Sequence, residues 1–249
     1  MRGGTAAPPY DRPVRSRKEP RPVTAVLPPP RTPAVTLPHP RRLTREEDGD
    51  RLHALFWAPG PGRRMISSAV LGGGIGERAW ILNAQVSHGY RRTDPDRHLA
   101  GLASAAGARG PGVGLMTAAD VSAYAHGHDE GADAFVTAGI DVRGWAAVPG
   151  AGGSAPQPPG TINIVAAVPV PLTDSALVNA VATATEAKVQ ALVETGHDSS
   201  GTPTDAVCVM ALTPVPEEEA HAFAGPRSLW GARLARAVHQ AVRAAVTVP

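Results

Sequence analysis

A group of polar side chains stands directly before an apolar run in the C-terminal part of the chain. In the segment "GTPTDAVCVMAL", Thr202, Thr204 and Asp205 precede the apolar, strand-like run "VCVMAL", and Gly201 permits a tight turn. Hydroxyl and carboxyl groups at the mouth of a buried strand can hold a polar substrate, activate a water molecule or act as nucleophiles. The same composition is also typical of a plain turn, so the segment alone leaves both interpretations open.

A long predicted helix, which begins at Thr173 or Asp174 and runs to about Glu194, carries the next candidates. Lys188 is the only lysine after residue 42 and lies on the apolar stripe of this helix, whereas Glu186 belongs to its polar stripe. A desolvated lysine can act as a base or stabilise an oxyanion, and a carboxylate can activate a water molecule. A lysine at the helix edge that extends its amine into solvent explains the same pattern.

Three further polar residues interrupt strand-like runs that are otherwise apolar. Asn83 lies on the polar face of the alternating run "RAWILNAQV", and Thr161 and Asn163 begin the run "TINIVAAVPV". Side-chain amides and hydroxyls at such positions can bind a polar ligand. A strand face that simply meets solvent shows the same alternation, so this alternative stays open.

The cysteine and histidine content limits the chemistry further. Cys208 lies among apolar strand residues, which is typical of an inert thiol, and a single cysteine excludes an internal disulfide or a multi-cysteine metal site. No G-x-S-x-G nucleophile elbow occurs, and the nine histidines show no metal-ligand spacing. We therefore predict neither a serine triad nor a protein-bound metal.

Two short motifs match known patterns but lack the required context. Residues 74–79 fit G-x-G-x-x-A, yet a strand-like run follows where a dinucleotide-binding motif needs a helix, so we predict a hairpin turn there. Residues 96–101 fit D-x-H-x-x-G, by which some corrinoid-binding proteins present a histidine to cobalt, but the downstream Ser-x-Leu and Gly-Gly motifs of such proteins are missing. We treat the match at His98 as chance.

Charge and proline content separate the N-terminal segment from the rest of the chain. Residues 1–42 hold eleven of the 26 prolines and nine basic against two acidic residues, whereas residues 43–249 carry fifteen basic and twenty acidic residues. Dense proline disfavours helix and sheet, so we predict a disordered tail over residues 1–42. The mildly acidic remainder argues against nucleic acid as a partner, and contact of the basic tail with RNA or membrane stays an alternative.

No segment has the composition of a secretory leader or a membrane span. The N-terminal residues lack an apolar core, and no run approaches the roughly 18 apolar residues that a membrane helix requires. Together with the single cysteine, this predicts a cytoplasmic protein without membrane insertion. The sequence does not indicate an oligomeric state.

The order of elements predicts a single α/β domain, with an α+β arrangement as the open alternative. The predicted domain extends from residue 52 to residue 249, and strands and helices alternate in a way that favours a mixed β-sheet with packed helices. A Gly/Pro-rich segment at 148–160 predicts a mobile loop. Helices are predicted over residues 94–107, 117–131 and 174–194 and from residue 225 onward.

Seven segments together, in order and spacing, resemble the adenosylcobinamide amidohydrolase family. The likeness covers roughly residues 52–246, and Pro203 departs from it because the family often has threonine at that position. The proline- and arginine-rich tail has no counterpart in it. The segments are "ISSAVLGGGIGERAWILNAQV", "MTAADVSAY", "FVTAGI", "GTINIVAAVPVPL", "ATATEAKVQAL", "GTPTDAVCV" and "WGARLARAVHQAV".

The resemblance implies an amide hydrolysis in corrinoid salvage, within cobalamin biosynthesis. Adenosylcobinamide would be cleaved at its aminopropanol amide to give adenosylcobyric acid and 1-amino-2-propanol. Cobalt would enter as part of the corrinoid substrate, and no further cofactor is expected. Two alternatives stay open: a corrinoid-binding protein without catalysis, and an amidase of the same fold that acts on another amide.

Our hypothesis for the catalytic groups combines these candidates. Glu186 or Asp205 would activate a water molecule, while Lys188 or the threonine-containing segment would stabilise the developing charge. Thr202 or Thr204 would serve as a nucleophile or as a donor to the amide. The remaining predicted substrate contacts are Gly201, Asn83, Thr161 and Asn163.

Overall fold

The computed structural model describes residues 37–147, 160–216 and 219–247. Residues 1–36 of the predicted tail lie outside the described residues, and so do residues 148–159 of the predicted loop.

Ten strands and three α-helices make up the described part of the chain. The strands are β1 (Arg41–Glu47), β2 (Asp50–Trp57), β3 (Arg63–Ser67), β4 (Gly74–Glu77), β5 (Trp80–Gln85), β6 (Gly112–Thr117), β7 (Ala125–Asp129), β8 (Ala132–Gly139), β9 (Thr161–Pro171) and β10 (Ala206–Leu212). The helices are α1 (Pro95–Ala105), α2 (Asp174–Glu194) and α3 (Leu229–Val246).

The strands form two mixed sheets. One has four strands in the order β1-β2-β5-β6, and the other has six in the order β4-β3-β10-β9-β8-β7. The pairs β5–β6 and β9–β10 are parallel, whereas the other pairs are antiparallel. The expected class, one domain of mixed sheet and packed helices, is confirmed in its α+β form. The strands form two sheets, whereas a single sheet was predicted.

Three apolar clusters show that the fold has four layers. Helices α2 and α3 pack on one face of the six-stranded sheet, and α1 packs on the outer face of the four-stranded sheet. Between the two sheets, Val165 and Cys208 from one sheet meet Ile81 and Leu115 from the other. Each sheet therefore buries both faces, which explains why β5, β9 and β10 are nearly continuous apolar runs.

The glycine-rich segment "GGGIGE" is not a hairpin turn between β3 and β5, as the sequence suggested. Residues 74–77 form strand β4, which pairs with β3 in the six-stranded sheet, and β5 belongs to the other sheet. Between β3 and β4, Leu71 makes an isolated bridge to Gly114 of β6, and the chain passes to the four-stranded sheet at residues 78–79, between β4 and β5. The rejection of a dinucleotide-binding motif stands, because no helix follows Gly76.

The prediction of a helix over residues 117–131 is also wrong. The structure has a single 3₁₀ turn at Val121–Ala123, followed by β7, which forms a hairpin with β8. A Cβ atom at Gly127 would collide with the backbone oxygen of Ala237, so this strand approaches α3 as closely as only glycine allows. The packing against α3 explains why an extended segment replaces the helix that the apolar spacing suggested.

The ordered body begins earlier than residue 52. Strand β1 starts at Arg41, inside the segment assigned to the tail, and it pairs with β2 along its whole length. Its charged side chains occupy an edge strand, where solvent reaches them, so high charge did not signal disorder there. Within the described ranges, no helix is long and apolar enough to cross a membrane.

Candidate active site

A cavity of about 460 Å³ lies at one end of the space between the two sheets. The segments after β3, β5 and β6 contribute to it, and so do the first residues of β9 and β10 with the loop before β10. Ligands of α/β proteins commonly bind beyond the carboxyl ends of parallel strands, and β5 and β6 are such a pair. The polar residues of its wall include Ser87, His88, Tyr90, Thr161, Thr204 and Asp205.

Asp205 organises the segment "GTPTDA" at this cavity. Its Oδ1 atom accepts hydrogen bonds from the backbone N–H of Ile162, at 2.9 Å, and from the Thr202 hydroxyl, at 2.5 Å. Its Oδ2 atom accepts from the backbone N–H of Thr202, at 3.2 Å, and from Lys188 Nζ. With both oxygens engaged by protein donors, Asp205 fixes the turn and joins it to the first residues of β9.

Lys188 reaches this turn from helix α2. Its side chain is 8% exposed and forms an ion pair with Asp205, whose side chain is 11% exposed. The ammonium group therefore does not extend into solvent, which removes the edge-of-helix interpretation. A lysine that contacts a buried carboxylate neutralises it, so the direct effect of Lys188 is on the position and charge of Asp205.

Gly201 has a backbone conformation and a location that exclude a side chain. Its φ angle is +146°, and a Cβ atom there would collide with the Asp205 carboxylate and with Lys188 Nζ. The sequence interpretation of Gly201 as a turn residue agrees with this geometry. The ion pair therefore packs directly against the backbone of the turn.

Two threonines form a hydroxyl pair at the cavity wall. The Oγ1 atoms of Thr161 and Thr204 are 2.6 Å apart, and the Thr204 hydroxyl donates to the backbone oxygen of Gly160 at 2.8 Å. Thr161 is buried at the start of β9, whereas Thr204 is exposed in the turn. One predicted strand residue and one predicted turn residue are thus brought together on a single wall.

Asn83 and Asn163 lie deeper, in a polar network between the sheets. Asn163 Nδ2 donates to Asn83 Oδ1 at 2.8 Å and to the backbone oxygen of Met116, and Asn83 Nδ2 donates to Thr137 Oγ1 at 3.0 Å. Asn83 and Asn163 are 2% and 1% exposed, so the solvent-facing alternative does not hold. Neither side chain belongs to the cavity wall, and both support it from behind.

Glu186 is not brought together with the other candidates. It is exposed on α2 and lines a separate surface cavity of about 170 Å³ between α2 and α3, with Gln190, Arg236 and His239. A separation of two residues on a helix turns Glu186 and Lys188 toward nearly opposite directions. The geometry therefore leaves Asp205, and not Glu186, beside the cavity.

Four polar cavity residues were missed in the sequence: Ser68, His88, Tyr90 and Thr117. His88 and Tyr90 directly follow β5, and Thr117 ends β6, so the carboxyl ends of two parallel strands were the available signal. The expectation of a hairpin before β5 and a helix after residue 117 hid that signal.

The remaining nucleophile and ligand candidates are buried or already engaged. Burial raises the pKa of Cys208 to about 12, although the hydroxyl of Ser67 opposes this, so the thiol is inert as expected. His98 of the D-x-H-x-x-G motif is buried, and each of its ring nitrogens contacts a protein side chain, so neither is free for cobalt. In the described ranges, no group of three or more His, Cys, Asp or Glu residues is arranged to hold a metal ion.

Comparisons with known proteins identify the class. The chain matches the adenosylcobinamide amidohydrolase family over residues 37–248. The adenosylcobinamide amidohydrolase of Methanosarcina mazei is 30% identical over 187 residues, which cover 71% of this chain and 87% of that protein. That of Halobacterium salinarum is 40% identical over 99 residues, or 38% of this chain and 41% of the relative.

Among solved structures, the PH0078 protein from Pyrococcus horikoshii OT3 gives an alignment that covers 86% of this chain and 84% of the PH0078 chain. The TM-score is 0.49 and the sequence identity is 14%. The sequence relatives define the protein as an enzyme that hydrolyses an amide. More specifically, the chain belongs to the adenosylcobinamide amidohydrolase family, because the match spans nearly all of the described residues.

Proposed function

We propose that this enzyme hydrolyses the aminopropanol amide of adenosylcobinamide and releases adenosylcobyric acid and 1-amino-2-propanol. The observation that carries the proposal is the cavity between the sheets, where Thr161, Thr204 and Asp205 meet within the range that matches the family. The hydroxyl oxygens of Thr161 and Thr204 at the wall can accept a hydrogen bond from the amide N–H. A bond to the amide oxygen would require Thr204 to release the backbone oxygen of Gly160.

The size of the cavity indicates how the substrate binds. A volume of about 460 Å³ accommodates the amide-bearing side arm but not a whole adenosylated corrinoid. The macrocycle would therefore remain at the rim, where Val70 is an exposed apolar residue of the cavity wall. In this arrangement the cobalt is part of the substrate and lies outside the cavity, and we propose that the chain needs no further cofactor.

The threonine turn has a binding role in this proposal. Thr204 and Thr161 bind the amide, while Gly201, Thr202 and Asp205 fix the turn that presents Thr204. Lys188 acts through Asp205 and is a positioning residue. Both oxygens of Asp205 are engaged by protein donors, so a water molecule would have to displace one of those donors before Asp205 could activate it.

Mass spectrometry of the purified protein with adenosylcobinamide tests the reaction. We expect equimolar adenosylcobyric acid and 1-amino-2-propanol, unchanged by prior treatment with a chelator. Stoichiometric binding without release of the amine would instead favour the corrinoid-binding alternative. Hydrolysis of other amides that adenosylcobinamide does not inhibit would favour an amidase with a different substrate.

Two variants test the role of the hydroxyl pair. Thr161→Val and Thr204→Val keep the side-chain shape but remove the hydroxyl groups, so each should raise KM or lower kcat for adenosylcobinamide. Thr185→Val is the matched control, because its hydroxyl bonds only to the backbone oxygen of Val181 on the surface of α2. Full activity of both cavity variants would refute the assigned binding role.

The salvage setting and the location follow from this reaction. The acid product would re-enter cobamide assembly inside the cell, and a single cysteine that forms no disulfide is compatible with a reducing cytoplasm. We propose that residues 1–36 of the basic segment are not required for catalysis. Deletion of residues 1–36 should leave product formation intact, whereas a role in RNA binding would require that segment.

A further inference from the structure

Three side chains from separate elements contact one another in series through their polar atoms. His98 Nε2 on α1 lies 3.0 Å from Oε1 of Glu47, at the end of β1. The Tyr90 hydroxyl, in the segment between β5 and α1, lies 3.1 Å from Nδ1 of the same imidazole. The two rings are nearly parallel, with an interplanar angle of 13°. Glu47, His98 and Tyr90 are called the relay below.

Chemistry favours one tautomer of the neutral imidazole. An ionised carboxylate carries no proton to share, so its contact with His98 Nε2 favours the tautomer with the proton on that nitrogen. Nδ1 then presents a lone pair and accepts from the Tyr90 hydroxyl. The arrangement has the order carboxylate, imidazole, hydroxyl, which in other enzymes orients an imidazole to take a proton from a hydroxyl group.

The surroundings keep this imidazole neutral and oriented. His98 is 7% exposed, and burial lowers its pKa, while the Glu47 carboxylate opposes that effect. Arg92 and Arg45 lower the pKa further, and Asp94 raises it. Arg45 Nε also donates to Glu47 at 2.7 Å, which holds the carboxylate in place. At neutral pH Nδ1 is therefore available as a proton acceptor.

The relay ends at the cavity, because Tyr90 belongs to the same wall as Thr161 and Thr204. Neither β1 nor α1 contributes a residue to that wall, so the relay is what connects them to it. Burial also raises the pKa of Tyr90, against the opposing effect of Arg92, so the phenol keeps its proton at rest. A protonated hydroxyl beside a neutral imidazole is ready to exchange a proton with a bound ligand.

We propose that Tyr90 is the acid–base residue of the amide hydrolysis, and that His98 and Glu47 are positioning residues that take up and return its proton. The inference rests on the proposed function for its substrate. It gives a role to the histidine of the D-x-H-x-x-G motif that is unrelated to cobalt.

The proton transfers balance as follows. As water attacks the amide carbon, its proton passes to the Tyr90 oxygen, and the Tyr90 hydroxyl proton passes to His98 Nδ1. The imidazolium that forms is stabilised by the Glu47 carboxylate. When the C–N bond breaks, His98 returns its proton to Tyr90, which delivers one proton to the leaving nitrogen. One water is consumed, and one carboxylic acid and one amine are formed.

Kinetics of Tyr90→Phe test the proposal against a matched control. Loss of the hydroxyl should lower kcat by about 10²- to 10⁴-fold, the usual contribution of general acid–base catalysis, with little change in KM. Tyr124→Phe removes a phenol that also contacts a histidine, His39 at 3.2 Å, but lies outside the cavity wall. The control should retain the wild-type kcat, and an equal loss in both variants would overturn the proposal.

The pH profile separates a relay from a purely structural contact. Activity should fall at low pH as His98 becomes protonated. In Glu47→Gln the carboxylate no longer raises the pKa of His98, so this acidic limb should move to lower pH while kcat falls. A lowered kcat with an unmoved limb would show that the Glu47–His98 contact only holds β1 against α1.

Nitrogen-15 NMR of His98 provides a test that needs no substrate. We expect a neutral ring with the proton on Nε2 at pH 7, and a shift of the Nδ1 resonance in Tyr90→Phe. A proton on Nδ1, or a charged ring at that pH, would refute the relay even if the wild-type enzyme is active. An inactive wild-type enzyme with the expected tautomer would instead refute the proposed function.

Discussion

Removal of Lys188 should destabilise the whole domain, because it would leave the Asp205 carboxylate buried without a counter-charge. Both side chains are about nine-tenths buried, so solvent screens the pair weakly. Breaking a buried ion pair by removing one partner typically costs about 3 to 5 kcal/mol. We expect Lys188→Met to lower the free energy of unfolding by about 3 kcal/mol, the lower end of that range.

The corresponding change in melting temperature is readily measured. For a domain of this size, 1 kcal/mol shifts the melting temperature by about 2 to 4 °C, so Lys188→Met should lower it by about 6 to 12 °C. Urea unfolding followed by circular dichroism gives the free energy itself. The exposed pair Arg64–Asp174 is the control, and Arg64→Met should cost no more than about 1 kcal/mol.

A double variant tests whether the loss comes from the unpaired charge. Asp205→Asn removes the carboxylate charge, so the combination with Lys188→Met should be less destabilised than the sum of the single variants, by at least about 1 kcal/mol. Additive losses would refute the ion-pair argument. So would a loss in Lys188→Met that is no larger than the loss in Arg64→Met, because it would mean that the pair is not desolvated.

Two further predictions concern backbone conformation and acid stability. Gly201→Ala should lose stability and product formation together, since its Cβ would collide with the Asp205–Lys188 pair. Gly196→Ala also places alanine at a positive φ but has open space around it, so it should lose less stability, from backbone strain alone, and keep product formation; equal thermal shifts in the two variants would contradict this. The pKa of Glu194 is lowered from 4.5 to about 2 by hydrogen bonds from Gln190, His239 and Arg243. The ionised Glu194 carboxylate therefore stabilises the fold above about pH 4.5, and this stabilisation is lost as the pH falls toward 2. The free energies of unfolding of wild type and Glu194→Gln, measured with urea, should converge over that interval. A difference that stays constant with pH would refute this prediction.

Part of the fold could be predicted because its signals are local. Helix α2 follows Thr173, one of the two predicted caps, whose hydroxyl accepts from the backbone N–H of Ala176, and strands β9 and β10 match the apolar runs. The pairing of strands across the chain is not local. Strands β3 and β5 are close in sequence yet belong to different sheets, because β4 returns to β3 and the chain changes sheets only at residues 78–79.

The site could be predicted to a similar extent. Gly201, Thr202, Thr204, Asp205 and Lys188 were candidates from sequence; Thr204 and Asp205 line the cavity, and the other three contact Asp205. Helical periodicity placed Lys188 inward and Glu186 outward, but it could not reveal that an aspartate in a distant turn is the partner of the lysine. Side-chain chemistry alone suggested Lys188 and Glu186 as catalytic groups. Their surroundings differ, because Lys188 is paired with Asp205 and Glu186 lines a separate surface cavity.

The relay was beyond the reach of sequence reasoning for a related reason. Its members belong to an edge strand, a loop and a helix, and the strand begins at the end of the segment for which proline content had predicted disorder. His98 attracted attention only through a motif that does not apply. Its real partners, Glu47 and Tyr90, become visible only when β1 and α1 are packed on the same sheet.

The amide network of Asn83, Asn163 and Thr137 has a consequence for how the enzyme keeps its shape. The layer between the sheets is otherwise filled mainly with apolar side chains, whose attraction has no preferred direction and would tolerate sliding of one sheet over the other. Directional hydrogen bonds between Asn83 of one sheet and two strands of the other oppose such sliding. Opposite walls of the cavity belong to different sheets, so hydrogen bonds that fix one sheet against the other also hold those walls in a fixed relation to each other.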